Sequence, residues 1–314
     1  MISFLLNRAI GAVIVILGAS FLTFLLIDLA PGDALLAIAK ARFGLSVSLD
    51  QSTIDAIRAE AGLDQPLLIR FGTWLADVVR LDLGNSLVDG RPVIDLLAER
   101  FQRTLELALA SIGVAALLSI PLGLMAGLFH GTWFDSLCVS LATLGSAMPN
   151  YWLGILFILF FSVWLGVLPA FGRGDLDHLV LPALTLGTGV AVTTARLLRS
   201  ATIETMAASH ISAARGRGLS ETRIVGRHAM RSALVPVVTV FALEIAFLLE
   251  GAVAVEYVFG WNGLGLLFVE AVDARDYPVI QAIVILFAVL FVAINLVVDL
   301  LTFWLDPRTR AGAA

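Results

Sequence analysis

Four stretches of this sequence, residues 9–27, 107–129, 137–168 and 279–298, carry no charged side chain. A bilayer core about 30 Å thick is crossed by about 20 apolar residues in helical conformation, because lipid offers the backbone no hydrogen-bond partners. Two further stretches qualify. Residues 179–195 are shorter and include Pro182, and residues 234–255 are apolar except for Glu244 and Glu250. Composition agrees: 59% of residues are hydrophobic and 14% charged, against roughly 45–50% and about 25% in soluble domains. Too few charges remain to coat a water-facing surface, which excludes a soluble enzyme or a disordered chain. The formal net charge of -5 argues against nucleic-acid binding. Cys138 is the single cysteine, so there is no disulfide framework and no cysteine-based metal cluster. The first apolar run exceeds a signal-peptide core and no A-x-A-like site closes it, so it is read as a retained span. The expectation is an all-α integral membrane protein with about six transmembrane helices.

The run 137–168 has 32 residues. That is too many for one straight span and too few for two spans of about 20 residues plus a turn. Its middle reads Gly145-Ser146-Ala147-Met148-Pro149-Asn150, and proline removes a helical hydrogen bond and clashes with the preceding turn. One crossing broken at Met148-Pro149 is therefore expected. Broken backbone at membrane depth survives only where it is buried in protein or lines a cavity, which makes Met148, Asn150 and Tyr151 candidate pathway residues.

Basic residues in short loops set orientation. The segment 196–231 holds Arg196, Arg199, Arg215, Arg217, Arg223, Arg227 and Arg231 against Glu204 and Glu221. Six passes put this segment, Arg8 and the tail with Arg308 and Arg310 on one side, so both termini are expected in the cytoplasm. The long segment 31–104 falls outside. There, residues 52–62 and 66–80 mix charged and apolar side chains at helical spacing, as in Leu67, Phe71, Trp74 and Val78. The domain reading is a first span over 1–30, an external helical cap over 31–104, a five-span core over 105–306 with a cytoplasmic loop at 196–235, and a tail at 307–314.

Catalytic signatures are missing. A P-loop requires G-x-x-x-x-G-K-[ST], and the single lysine, Lys40, sits between Ala39 and Ala41. No H-E-x-x-H or G-x-S-x-G is present. His130, His178, His210 and His228 lie scattered over loops and are read as solvated or structural. The chain is thus expected to hydrolyse no ATP and to bind no metal or cofactor of its own. The basic loop is more informative. It runs Ile211-Ser212-Ala213-Ala214-Arg215-Gly216-Arg217-Gly218-Leu219-Ser220 and on to Pro236. Small side chains followed by a glycine pair allow a helix to pack closely and then turn. A second helix over 221–230 would make a helical hairpin that a motor subunit could grip.

This loop resembles the EAA motif of ABC importer permeases, E-A-A-x-x-x-G followed by a distal proline. Ser212-Ala213-Ala214 and Gly218 match with the glutamate replaced, and Pro236 matches the proline, while His228-Ala229-Met230-Arg231 departs from the usual I-x-L-P. Absence of the glutamate and first proline is similar to the peptide/nickel branch. Fragments in that branch's order run along the chain: Leu29-Ala30-Pro31-Gly32-Asp33, Gly62-Leu63-Asp64-Gln65-Pro66, Leu81-Asp82-Leu83-Gly84-Asn85-Ser86, Ser146-Ala147-Met148-Pro149 and Arg275-Asp276-Tyr277-Pro278. The resemblance implies a type I importer permease that pairs with a homologous second permease, two ATPase subunits consuming ATP and Mg, and an external substrate-binding protein, in the bacterial inner membrane. It also implies that Ser212, Ala213, Ala214, Arg215, Gly216, Arg217, Gly218 and Leu219 couple the permease to an ATPase. Transport would proceed by alternating access.

Substrates implied by the branch are short peptides or nickel, free or chelated. The short loop between residues 168 and 179 leans toward nickel-type subunits, but fold-level analogy does not fix a ligand. Glu244 and Glu250 lie inside a span, where an ionisable side chain faces a cavity or a partner. Six residues rotate a helix by about 600°, so the two project about 120° apart and cannot share one wall. One of them is expected either to face the pathway and favour a cationic substrate or to pair with the other permease. An ATPase-independent secondary transporter or channel is the alternative, and it calls for inverted repeats; none is evident in the sequence.

Overall fold

The computed structural model describes residues 2–29, 42, 65–172 and 174–305. The helix expected over 52–62, the motif at 30–33, Lys40, Arg308 and Arg310 lie outside those residues. Among the described residues the elements are helices, with one isolated bridge between Asn85 and Pro92. They are α1 (Ile2–Leu29), α2 (Leu67–Val79), α3 (Val93–Leu128), α4 (Trp133–Ala147), α5 (Asn150–Phe157), α6 (Leu176–Ala207), α7 (Ser209–Gly216), α8 (Met230–Phe259), α9 (Leu264–Ala274) and α10 (Tyr277–Leu305). A π-helix, Ile158–Trp164, extends α5, and a single helical turn, Glu221–Arg223, followed by a second π-helix, Ile224–Ala229, leads into α8. Five helices are long and apolar enough to cross a membrane. The sixth segment expected from the sequence is the pair α4 and α5, each arm too short to cross alone.

Between those arms the chain bends by 110°. Met148 (φ -99, ψ 131) and Pro149 (φ -61, ψ 141) are both extended, because a residue before proline is pushed out of the helical region. The break falls at the dipeptide expected, and the second arm leaves it at a steep angle to the first.

Two compact units are distinguished: residues 1–104 with 262–293, and residues 105–261 with 294–314. In the first, α1 meets α2 through Phe21, Phe24, Phe71 and Trp74, whose rings pack mainly edge to face. Arg70 pairs with Asp28 at 3.0 Å. Leu87, Val93, Leu97, Leu264, Ile280 and Ile283 form the core. Asp276, 4% exposed, ties the 81–92 loop to the start of α10. Its carboxylate accepts the Ser86 hydroxyl and, at 3.0 Å, the Leu87 N–H. Burial pushes this carboxyl above the ordinary aspartate range, and the two hydrogen bonds oppose the shift.

In the second unit α6 is central, packing on α4, α5 and α8, and glycines set its distance to α3. A Cβ on Gly123 would stand 2.7 Å from the Ala195 carbonyl oxygen, and one on Gly127 2.6 Å from the Thr202 Cβ. Larger side chains there would force the helices apart. Leu107, Ile158, Leu181, Leu186, Phe259 and Trp261 fill the core.

Candidate functional site

The 110° break opens a cavity of about 220 Å³ on α6 and α8. Ser146, Met148 and Asn150 come from the break, Gly189 and Thr193 from α6, and Glu244 and Gly251 from α8. Two glycines accommodate the Asn150 amide. A Cβ on Gly189 would lie 2.9 Å from its Oδ1, and one on Gly251 3.1 Å from its Nδ2. The Thr193 hydroxyl hydrogen-bonds the Glu244 carboxylate, and no ion pair joins Glu244 to a basic side chain among the described residues. The cavity therefore offers one carboxylate, one amide and hydroxyl groups in a wall that also includes Leu186, Val190 and Leu248. A few convergent polar groups in such a wall are what orients a small solute.

Met148, Asn150 and Glu244 are thus brought together. Tyr151 and Glu250 are not: Tyr151 is 50% exposed and Glu250 is exposed, and neither lines this cavity. The 120° offset between positions 244 and 250 explains the second separation, and Tyr151 projects about 100° from Asn150 on the new helix.

The basic loop forms a helical hairpin. α7 ends at Gly216, and Gly218, at φ +78, turns the chain toward Glu221. Ile211 and Ala214 are buried against Ile224 and Ala229. Ser212, Ala213, Arg215, Gly216, Arg217 and Gly218 are exposed, and Leu219 is half-buried. Of the two adjacent alanines, then, Ala214 holds the hairpin together and Ala213 faces outward. Arg215 pairs with Glu221 at 2.6 Å, an exposed contact that contributes little stability.

One cluster escaped sequence reasoning. Asp135, 4% exposed at the start of α4, accepts hydrogen bonds from Arg199 at 2.8 Å and from the Gly131 N–H at 3.0 Å, with His130 Nδ1 also at 3.0 Å. Its only sequence signal is a lone acid opening an apolar run. Among the described residues no three His, Cys, Asp or Glu side chains gather where they could hold a metal ion.

A helical chain of apolar spans, with a broken span beside a small polar cavity and a basic hairpin, has the features of a membrane transport subunit. Residues 119–311 match the family described as binding-protein-dependent transport system inner membrane component, and residues 1–108 match the N-terminal part of such membrane components. The chain belongs to this family. It is therefore a non-catalytic permease subunit of an ABC importer, served by an ATPase and a substrate-binding protein. Its relatives include the glutathione transport system permease protein GsiC of Salmonella typhimurium, 41% identical, and that of Escherichia coli K12, 39% identical, each over 99% of both chains. Among solved structures it is similar to the inward-facing MetNI methionine ABC transporter, with TM-score 0.57 and 19% identity over 67% of this chain and 96% of that one. An amino acid ABC transporter structure with histidines gives 0.53 and 15% over 67% and 94%. These likenesses show the importer-permease fold.

Proposed function

We propose that the cavity at the α4–α5 break is the substrate route of this permease and that its cargo is a short peptide with a free amino group. The observation that carries the reading is the convergence of Asn150, Thr193 and Glu244 on one cavity. A carboxylate without a basic partner, set among neutral polar groups, favours a cation, and a peptide ammonium supplies one. A divalent metal ion is served less well by a single carboxylate and a thioether. The GsiC relatives belong to glutathione transport systems, and glutathione is peptide-like, which favours the peptide over the nickel reading. The subunit would work with a homologous second permease, two ATPases and an external binding protein. Its basic hairpin and both termini would be cytoplasmic, by the positive-inside rule, with α7 seated on an ATPase through Ser212, Ala213 and Gly216. ATP binding and hydrolysis in those partners would drive alternating access.

The test is uptake per assembled importer for Glu244→Gln, comparing a free-amine peptide with its N-acetylated form. Opposite charges about 4 Å apart interact by roughly 4 kcal/mol at an effective dielectric of 20. Even partial loss should cut the preference for the free amine at least tenfold, about 1.4 kcal/mol. An unchanged preference in the variant would remove Glu244 from the route.

A further inference from the structure

A second groove in the same unit shares only Gly145 with the proposed route. Leu122 and Ala126 on α3, Val139 and Ala142 on α4, and Ala191 and Val192 on α6 wall an apolar trough of about 200 Å³. It lies on a different side of α6 from the route. The cavity residues Leu186, Gly189 and Thr193 and the groove residues Thr188, Val192 and Ala195 each repeat at helical spacing, and the two sets project more than 100° apart. The close approach of α3 to α6 at Gly123 and Gly127 forms the trough, and Leu122 and Val139 stay exposed along its rim.

Arg196 and Arg199, one turn apart on α6 and so on one face, border this groove. Arg199 is held by Asp135. Arg196 is exposed and forms no ion pair with a carboxylate among the described residues. The same level is marked by Phe134, which Phe129 and Trp133 each contact edge to face near the start of α4, with Phe129 and Trp133 largely exposed. Aromatic side chains of this kind settle at the boundary between headgroups and hydrocarbon. The groove therefore runs from a cationic rim at headgroup depth into the apolar layer. An acyl chain complements the apolar walls, and an anionic headgroup complements the arginine rim.

We propose that this groove seats one acyl chain of an anionic phospholipid, with Arg196 binding the headgroup phosphate and Asp135 holding Arg199 beside it. Basic pockets between membrane helices hold anionic headgroups by this combination of charge and apolar contact.

Cys138, the single cysteine of the chain, lines the groove and serves as the reporter. The assembled importer is placed in phosphatidylcholine nanodiscs with or without phosphatidylglycerol, and the rate of Cys138 alkylation by N-ethylmaleimide is read by peptide mass. Phosphatidylglycerol should slow alkylation about tenfold in the wild type, and Arg196→Gln should abolish most of that protection. Ala142→Leu, which fills the trough, should make alkylation slow in both membranes. Inorganic phosphate added to phosphatidylcholine discs should change nothing. Equal wild-type rates in the two membranes would overturn the proposal, as would protection that survives Arg196→Gln or is reproduced by phosphate alone. A Cys138 shielded in both membranes would overturn it too, by showing that a protein partner covers the groove.

Discussion

Asp276 stands where the chain enters α10, with its carboxylate buried and bonded to Ser86 and Leu87. Burial raises its pKa, so between the unfolded value of about 3.9 and the raised native value the folded state holds the proton more tightly. Stability from this group is therefore present at low pH and is lost as pH rises through that window. Asp276→Asn keeps the acceptor for the Leu87 N–H and removes the ionisation. Thermal unfolding across pH should show the variant gaining on wild type as pH rises above about 4; a constant difference would mean that the carboxyl titrates normally. Such burial was not legible in the sequence, where Asp276 appeared only inside a family fragment. Glu244 and Glu250 were partly legible, since helical rotation separates them, but which one meets a cavity depends on the packing of α6. Asp135 and Arg199 are 64 positions apart, a pairing that no local pattern encodes.

Among the elements, α7 offers the sharpest test. In the proposed seat on an ATPase, Ala213→Arg should leave the hairpin folded and cut ATP-driven uptake at least tenfold, because only a small side chain fits. Ala214→Arg should instead disrupt the hairpin itself, since a charge buried without a partner costs several kcal/mol. Limited proteolysis of assembled complexes separates these outcomes, and normal uptake by Ala213→Arg would remove the coupling role. Sequence reasoning treated both alanines as one small-residue patch. The i, i+3 relation of Ile211 to Ala214 was the available signal for the buried face. Proline located the α4–α5 break, because a missing N–H marks where a helix ends, but no local pattern encodes the 110° turn. Gly123 and Gly127 read as ordinary members of an apolar run; their need for close approach emerges only when α3 meets α6.

For the whole molecule, the uncharged runs made the membrane class legible, since no other environment tolerates them, and the ordered fragments made the family legible. The cavity was less so. It draws on residues from 145 to 251, and the sequence marked only some of them. Whether that cavity carries traffic is measured most directly by placing a cysteine at Asn150 in a Cys138→Ser background of the assembled importer. Its reaction with a membrane-impermeant thiol reagent is then followed through the ATP cycle. A water-filled route predicts labelling in at least one nucleotide state and protection by substrate in that state, because a route open to one side at a time exposes its walls in turn. Protection in every state, in complexes that still transport, would contradict the account.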